Sequence, residues 1–139
     1  MGIDVQVLSY MPAGLLDIPA VEAVPLVVEI NDQLAATIQT HPDRFAGFAT
    51  LPTSDPKAAA ELERVVQKLG LKGAVIGGRT NGLFLDEPLF QPILETAAAL
   101  DVPIYLHPRI RPEQCRMPTI LVLSQLSAQD LRLLAEDGT

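Results

Sequence analysis

Two histidines are the first side chains to weigh, because neutral imidazole is a common ligand for zinc and similar divalent ions. His107 closes the apolar run Val102-Pro103-Ile104-Tyr105-Leu106. If that run is a parallel strand, His107 stands at its C-terminal end, where side chains of α/β folds line the mouth of the site. The plainer alternative is an imidazole hydrogen-bonded at a strand end with no ion. His41 precedes Pro42-Asp43-Arg44 at the end of a helical pattern, where the helix dipole favours a cation and a structural role. Asp55 and Asp86 stand where helices are expected to begin, which suits caps better than acids or bases. Asp4 falls inside the first apolar segment, as either a strand-end carboxylate or a sheet-edge residue.

Spacing restricts this chemistry. Mononuclear catalytic zinc takes three protein ligands plus water, yet the chain has no His-x-His, Glu-x-His or His-Glu-x-x-His. Cys115 is a lone thiol with no Cys-x-x-Cys partner, and there is no Gly-x-Ser-x-Gly nucleophile elbow. A metal at His107 would draw its other ligands from residues that no motif pairs with it, or from another chain. The loop Gly77-Gly78-Arg79-Thr80-Asn81-Gly82 has the wrong spacing for a dinucleotide fingerprint. Leu83-Phe84 stand where a phosphate-binding loop has Lys-Ser/Thr. A flexible strand-to-helix loop is therefore expected there.

The elements that must position these residues follow from length and pattern. The 139 residues suit one domain, and 48% hydrophobic content is enough for a packed core. A net charge of −7 argues against nucleic acid, which needs a basic surface. No apolar stretch approaches the roughly 20 residues of a membrane span. The lone cysteine and the absence of a basic region in Met1–Asp4 lead to the expectation of a cytoplasmic protein.

Ile3–Ser9, Phe45–Leu51, Lys72–Ile76 and Val102–Leu106 are short, apolar and bounded by turn residues, as expected of parallel strands covered on both faces. Asp55-Pro56 opens a helix whose Ala58, Leu62, Val65, Val66 and Leu69 share a face, and Gly70 ends it. A second begins near Asp86 and Pro88, with Phe90, Ile93, Leu94, Ala97 and Leu100 in one stripe. A longer pattern covers about Val21 to Thr40, its start obscured by Pro25, which would disrupt a helix interior. Arg109–Pro118 is expected to be loop, and Ser127-Ala128-Gln129-Asp130 resembles a capping box. Strand–helix alternation of this kind means α/β with a parallel sheet, either doubly wound or part of a (β/α)₈ barrel.

Several blocks then carry a family resemblance. They are Gly2-Ile3-Asp4-Val5-Gln6-Val7-Leu8-Ser9, Asn31-Asp32, Pro42-Asp43-Arg44-Phe45-Ala46-Gly47-Phe48-Ala49-Thr50-Leu51-Pro52 and Lys72-Gly73-Ala74. Phe84-Leu85-Asp86-Glu87-Pro88 and Leu100-Asp101-Val102-Pro103-Ile104-Tyr105-Leu106-His107-Pro108 complete the series. The chain resembles the amidohydrolase-related decarboxylases, which include the gamma-resorcylate, dihydroxybenzoate and aminocarboxymuconate-semialdehyde enzymes. Arg79-Thr80-Asn81-Gly82 looks closest to the hydroxybenzoate branch.

The resemblance implies about half of a TIM (β/α)₈ barrel over residues 1–110, followed by a divergent loop and helical tail over 111–139. It implies a carboxy-lyase using one divalent metal (zinc, or manganese or magnesium) and no organic cofactor. The substrate would be a small aromatic or unsaturated carboxylic acid, and His107 would be a metal ligand. In the family a His-x-His or Glu-x-His on the first strand, a later His and an Asp complete the site. None has a matching position here, which implies a truncated chain, inactive unless ligands come from elsewhere. The alternatives are a non-catalytic remnant or interaction module, and a metal-dependent hydrolase of the same superfamily. A half-barrel has two open sheet edges, so either the tail after Pro118 covers one or copies associate as a homo-oligomer.

Overall fold

The computed structural model describes residues 2–10, 15, 18–80, 82–107 and 121–122. Strand β1 (Gln6–Ser9) leads through helix α1 (Ala20–Thr40) to β2 (Phe45–Thr50), then α2 (Ala58–Gln67) and β3 (Ala74–Gly77). A hairpin of β4 (Arg79–Thr80) and β5 (Leu83–Phe84) follows, then a 3₁₀ turn (Pro88–Phe90), α3 (Gln91–Ala99), β6 (Ile104–His107) and β7 (Leu121–Val122). The main sheet has the order β1-β2-β3-β6-β7. Its first four strands are parallel, as helical crossovers require. β7 joins antiparallel, with Tyr105 opposite Val122 and Leu106 opposite Leu121, so these two residues of the tail cover that edge of β6.

Register decides between the two architectures left open by the sequence. Ala49 pairs with Ala74 and Ala74 with Ile104, so these three side chains share one face of the sheet. Ile76 and Leu106 lie on that face as well. All five belong to one core cluster with Ala35 and Ile38 of α1, Leu62 and Val65 of α2, and Ile93 and Ala97 of α3. The three helices therefore pack on the same side, as in a barrel wall, whereas a doubly wound sheet has helices on both. The fold is a parallel half-barrel with helices outside.

The opposite, inner face carries Val7, Ala46, Phe48, Thr50, Val75, Gly77, Tyr105 and His107, by the same register. It is open at β1: Val5 and Val7 are both 53% exposed. The expectation that every strand is covered on both faces fails there, because the strand that would shield this edge in a closed barrel is not among the described residues.

Three local expectations need correction. Pro25 lies inside α1, which begins at Ala20 with Pro19 as its N-cap. The bond Pro25 cannot make would run to the carbonyl of Val21, and both residues face solvent, so water can serve that carbonyl. The segment after β3 is a structured hairpin, with Arg79 opposite Phe84 and Thr80 opposite Leu83, instead of a flexible loop. Gly82, at φ +78°, supplies the backbone conformation its turn requires. Asp4 precedes β1, at the N-terminal end of the sheet, and is exposed.

Candidate functional site at the strand C-termini

His107 is the last residue of β6, on the inner face, exposed, and opposite Gly77 of β3. Its backbone carbonyl accepts the Gly78 N–H at 3.2 Å, which fixes the strand end while the ring projects from the sheet. Along the same face, its ring is tilted 55° to Tyr105 with centroids 6.5 Å apart. Tyr105 in turn stacks with Phe48 at 6.4 Å. Three rings thus form a continuous aromatic strip leading up to the C-terminal rim. His41 belongs to the opposite end: it is the C-cap residue of α1, its N–H bonded to Ile38 O, its ring edge-on to Phe45 at 6.2 Å. The structure keeps the two histidines apart.

Neither expected aspartate cap is an N-cap. Asp55 accepts the Lys57 N–H at 2.7 Å and so shapes the turn before α2, whose N-cap is Lys57. Asp86 stands before Glu87, the N-cap of the 3₁₀ turn. Cys115, Asp130 and the capping box at Ser127–Asp130 lie outside the described residues.

The rim itself is tied together by hydroxyls and a carboxamide that were not singled out from sequence. Thr50 ends β2, and its Oγ1 donates to the Tyr10 carbonyl just past β1. Thr53, in the loop after β2, shares a 2.7 Å hydrogen bond with Thr80 of the hairpin after β3. Both are fully buried, at 2% and 0% exposure. Behind them, Asn31 of α1 accepts the Thr50 N–H at 2.9 Å and donates to both the Thr50 carbonyl (2.9 Å) and Glu61 Oε1 (2.8 Å). Glu61 is buried and held by two bonds from Arg64, 2.8 and 2.9 Å, while Arg64 also reaches Asp32 at 2.8 Å. These contacts hold the Arg64 guanidinium above its ordinary pKa: the Glu61 hydrogen bond contributes most, burial opposes it, and Asp32 adds support.

The sequence held a signal for this network. Asn31 occupies the apolar stripe Ala23, Val27, Ala35, Ile38 of α1, at spacings of four and then three residues, and Glu61 sits among Ala58, Leu62 and Val65 of α2. A polar residue on a buried stripe must find a partner.

The threonine pair makes a direct prediction. Thr53→Val or Thr80→Val alone leaves the other hydroxyl buried without its partner, and should cost about 1–3 kcal/mol. The double substitution removes both groups with little change of shape and should recover most of that loss. Urea unfolding of the four proteins measures the cycle; additive losses would show that the two hydroxyls do not interact.

Among the described residues no three His, Cys, Asp or Glu side chains gather to hold an ion. His107 offers one nitrogen where about three protein ligands are needed. The described residues therefore do not by themselves make a complete metal site.

One-sided helices, parallel strands and a rim of polar side chains at the strand C-termini define this chain as part of a TIM-barrel-type protein. A family model described as amidohydrolase matches residues 3–130, and the chain belongs to that family. It is 41% identical over 122 residues to gamma-resorcylate decarboxylase of Polaromonas sp., covering 78% of this chain and 36% of that protein. Among solved structures, dihydroxybenzoic acid decarboxylase from Polaromonas sp. JS666, with bound manganese and the inhibitor 2-nitroresorcinol, superimposes with a TM-score of 0.73 at 39% identity. The match covers 81% of this chain and 36% of that one. The 5-carboxyvanillate decarboxylase of Novosphingobium aromaticivorans, complexed with manganese and 4-hydroxy-3-methoxy-5-nitrobenzoic acid, gives 0.74 at 37% identity. That match covers 82% of this chain and 33% of its own. The chain thus spans little more than a third of the curated relative's length.

Proposed function

We propose that this half-barrel is part of a metal-dependent carboxy-lyase that removes CO₂ from a small aromatic carboxylic acid. The observation that carries the reading is the place of His107, exposed on the inner face at the C-terminal end of β6. An imidazole there can contribute one ligand to a manganese, zinc or magnesium ion whose other donors lie outside the described residues. The strip of Phe48, Tyr105 and His107 supports an aromatic substrate, because ring faces and edges pack well on one another. The names of the relatives support the same chemistry.

The test combines metal content with turnover. Purified protein is loaded with manganese or zinc, dialysed and assayed for bound metal, and CO₂ release is followed with 2,6-dihydroxybenzoate and related hydroxybenzoates. His107→Ala should weaken metal retention by more than about a hundredfold, since even indirect partners of a ligand cost 10–100-fold. Equal retention in wild type and variant would remove His107 from the site. Ester or amide hydrolysis in place of CO₂ release would point to the hydrolase branch of the family. A protein that takes up no metal would favour a non-catalytic remnant or interaction module.

A further inference from the structure

The hydrogen-bond pattern of β2 changes at its last residue. Ala49 directs its N–H toward β3, donating to Gly73 O at 2.9 Å. The next residue of a strand points its N–H and C=O the other way, so those of Thr50 face β1. The β1 ladder has run out there, its last pair being Ser9 with Phe48. Two buried backbone groups at the C-terminal rim would then have no strand to bond, at a cost of about 1–3 kcal/mol each. The Asn31 carboxamide fills the vacancy. It carries an acceptor and donors like those of a peptide group, and it bonds both the N–H and the C=O of Thr50 at 2.9 Å. Its remaining N–H is fixed by Glu61, which Arg64 holds in turn.

We infer that Asn31 is a positioning residue: its carboxamide acts as a surrogate strand that sets the rim of β2 and, through the Thr50 hydroxyl on the Tyr10 carbonyl, the end of β1. Thr50 shares its row of the sheet with Val75 and Tyr105, and His107 lies one inner-face position beyond Tyr105. The Asn31–Glu61–Arg64 chain thus works from the outer helices on the mouth that holds His107. Its relevance to turnover rests on the decarboxylase reading, but its test does not.

Asn31→Asp keeps the size and the acceptor for the Thr50 N–H, and replaces the donor with an oxygen facing Thr50 O and Glu61. The introduced carboxyl can hold the geometry only while protonated, because a like charge and burial both oppose its ionisation. Arg64 and Asp32 face the same cluster, and Lys57 lines the adjoining groove with Glu61 and Arg64. Arg64 is already committed to Glu61 and Asp32, so it does not cancel the repulsion. A group that keeps its proton longer in the folded state stabilises that state at low pH and less as pH rises. The rim of the variant should therefore be ordered near pH 4 and released near pH 7.

Hydrogen exchange over residues 48–53, together with the near-ultraviolet circular dichroism of Tyr10 and Tyr105, reads this directly, the chain having no Trp and two Tyr. In the wild type the Thr50 amide should be protected like amides paired within the sheet. In Asn31→Asp it should exchange roughly tenfold faster or more at pH 7 than at pH 4, after correction for intrinsic rates. Segments of β3 and β6 should keep their protection, and Asn31→Asp combined with Glu61→Gln should show a weaker pH dependence, because the like charge is gone while burial still opposes ionisation. The inference is overturned by a wild-type Thr50 amide that exchanges freely, by a flat pH profile in the single variant, by an undiminished profile in the double variant, or by uniform loss of protection across the sheet. The wild-type measurement decides the matter even if the variants do not fold. Because neither readout involves metal or CO₂, failure of the decarboxylase reading leaves it standing.

Discussion

Gly73→Ala should be among the most damaging single substitutions in the chain, lowering stability by about 3–5 kcal/mol. Gly73 precedes β3 at φ +156°, and a Cβ there would lie 2.2 Å from the Pro103 carbonyl oxygen. That oxygen is backbone at the entry to β6 and already accepts the Ala74 N–H at 3.3 Å. The Gly73 carbonyl is also committed, accepting from Ala49. Relief would require moving two parallel strands apart, with Tyr105 and His107 carried along on β6. Gly47→Ala is the useful comparison. Its new methyl would meet Ile38 Cδ1 at 2.4 Å, the end of a flexible side chain, and a rotamer change can absorb part of that overlap. It should cost about 1–2 kcal/mol. Urea unfolding of both variants gives the ranking, and a Gly73→Ala protein within 1 kcal/mol of wild type would contradict the close approach of β3 and β6.

How much of this was legible in the sequence varies with the kind of signal. The strands joined by helical crossovers follow from apolar runs and turn residues: β2, β3 and β6 begin within two residues of their expected starts, and β1 begins three residues after its own. The stripe Phe90, Ile93, Ala97 is buried as its spacing demands. Pro25 misleads because local propensity prices the lost hydrogen bond without knowing that the orphaned carbonyl faces water. The hairpin was missed although Asn81-Gly82 is a strong two-residue turn signal; the glycines at Gly77 and Gly78 draw attention to loops instead. His107 was legible as a strand-end imidazole, since one position after an apolar run is a local feature. Of the Asn31–Glu61–Arg64 network only the presence of polar residues on buried stripes was legible; its partners were not, because they depend on where β1 stops relative to β2. That is a non-local fact: Asn31 and Thr50 are joined only once the register Ser9 to Phe48 is known.

Phe90→Ala should cost about 3–5 kcal/mol, the range for deleting a buried aromatic ring. Phe90 ends the 3₁₀ turn that launches α3, is 0% exposed, and is the bulkiest fully buried side chain among the described residues. Its cluster includes Leu62 and Val65 of α2, Leu85 beyond the hairpin, and Ile93 and Ala97 of α3. The ring is thus the point where the hairpin, the 3₁₀ turn and two helices share one core, and truncation leaves a void that rigid neighbours fill only in part. Phe90→Leu keeps most of the volume and should cost less than half as much. Hydrogen exchange should show the loss first over residues 83–100, since β1 pairs with β2 and α1 packs chiefly on β2. The contrast with His107→Ala separates the two halves of the architecture. An exposed strand-end imidazole contributes little to packing, so its removal should change stability by no more than about 0.5 kcal/mol. Should Phe90→Ala instead leave stability unchanged while His107→Ala unfolds the chain, the outer-face core and the open inner rim would have to exchange roles.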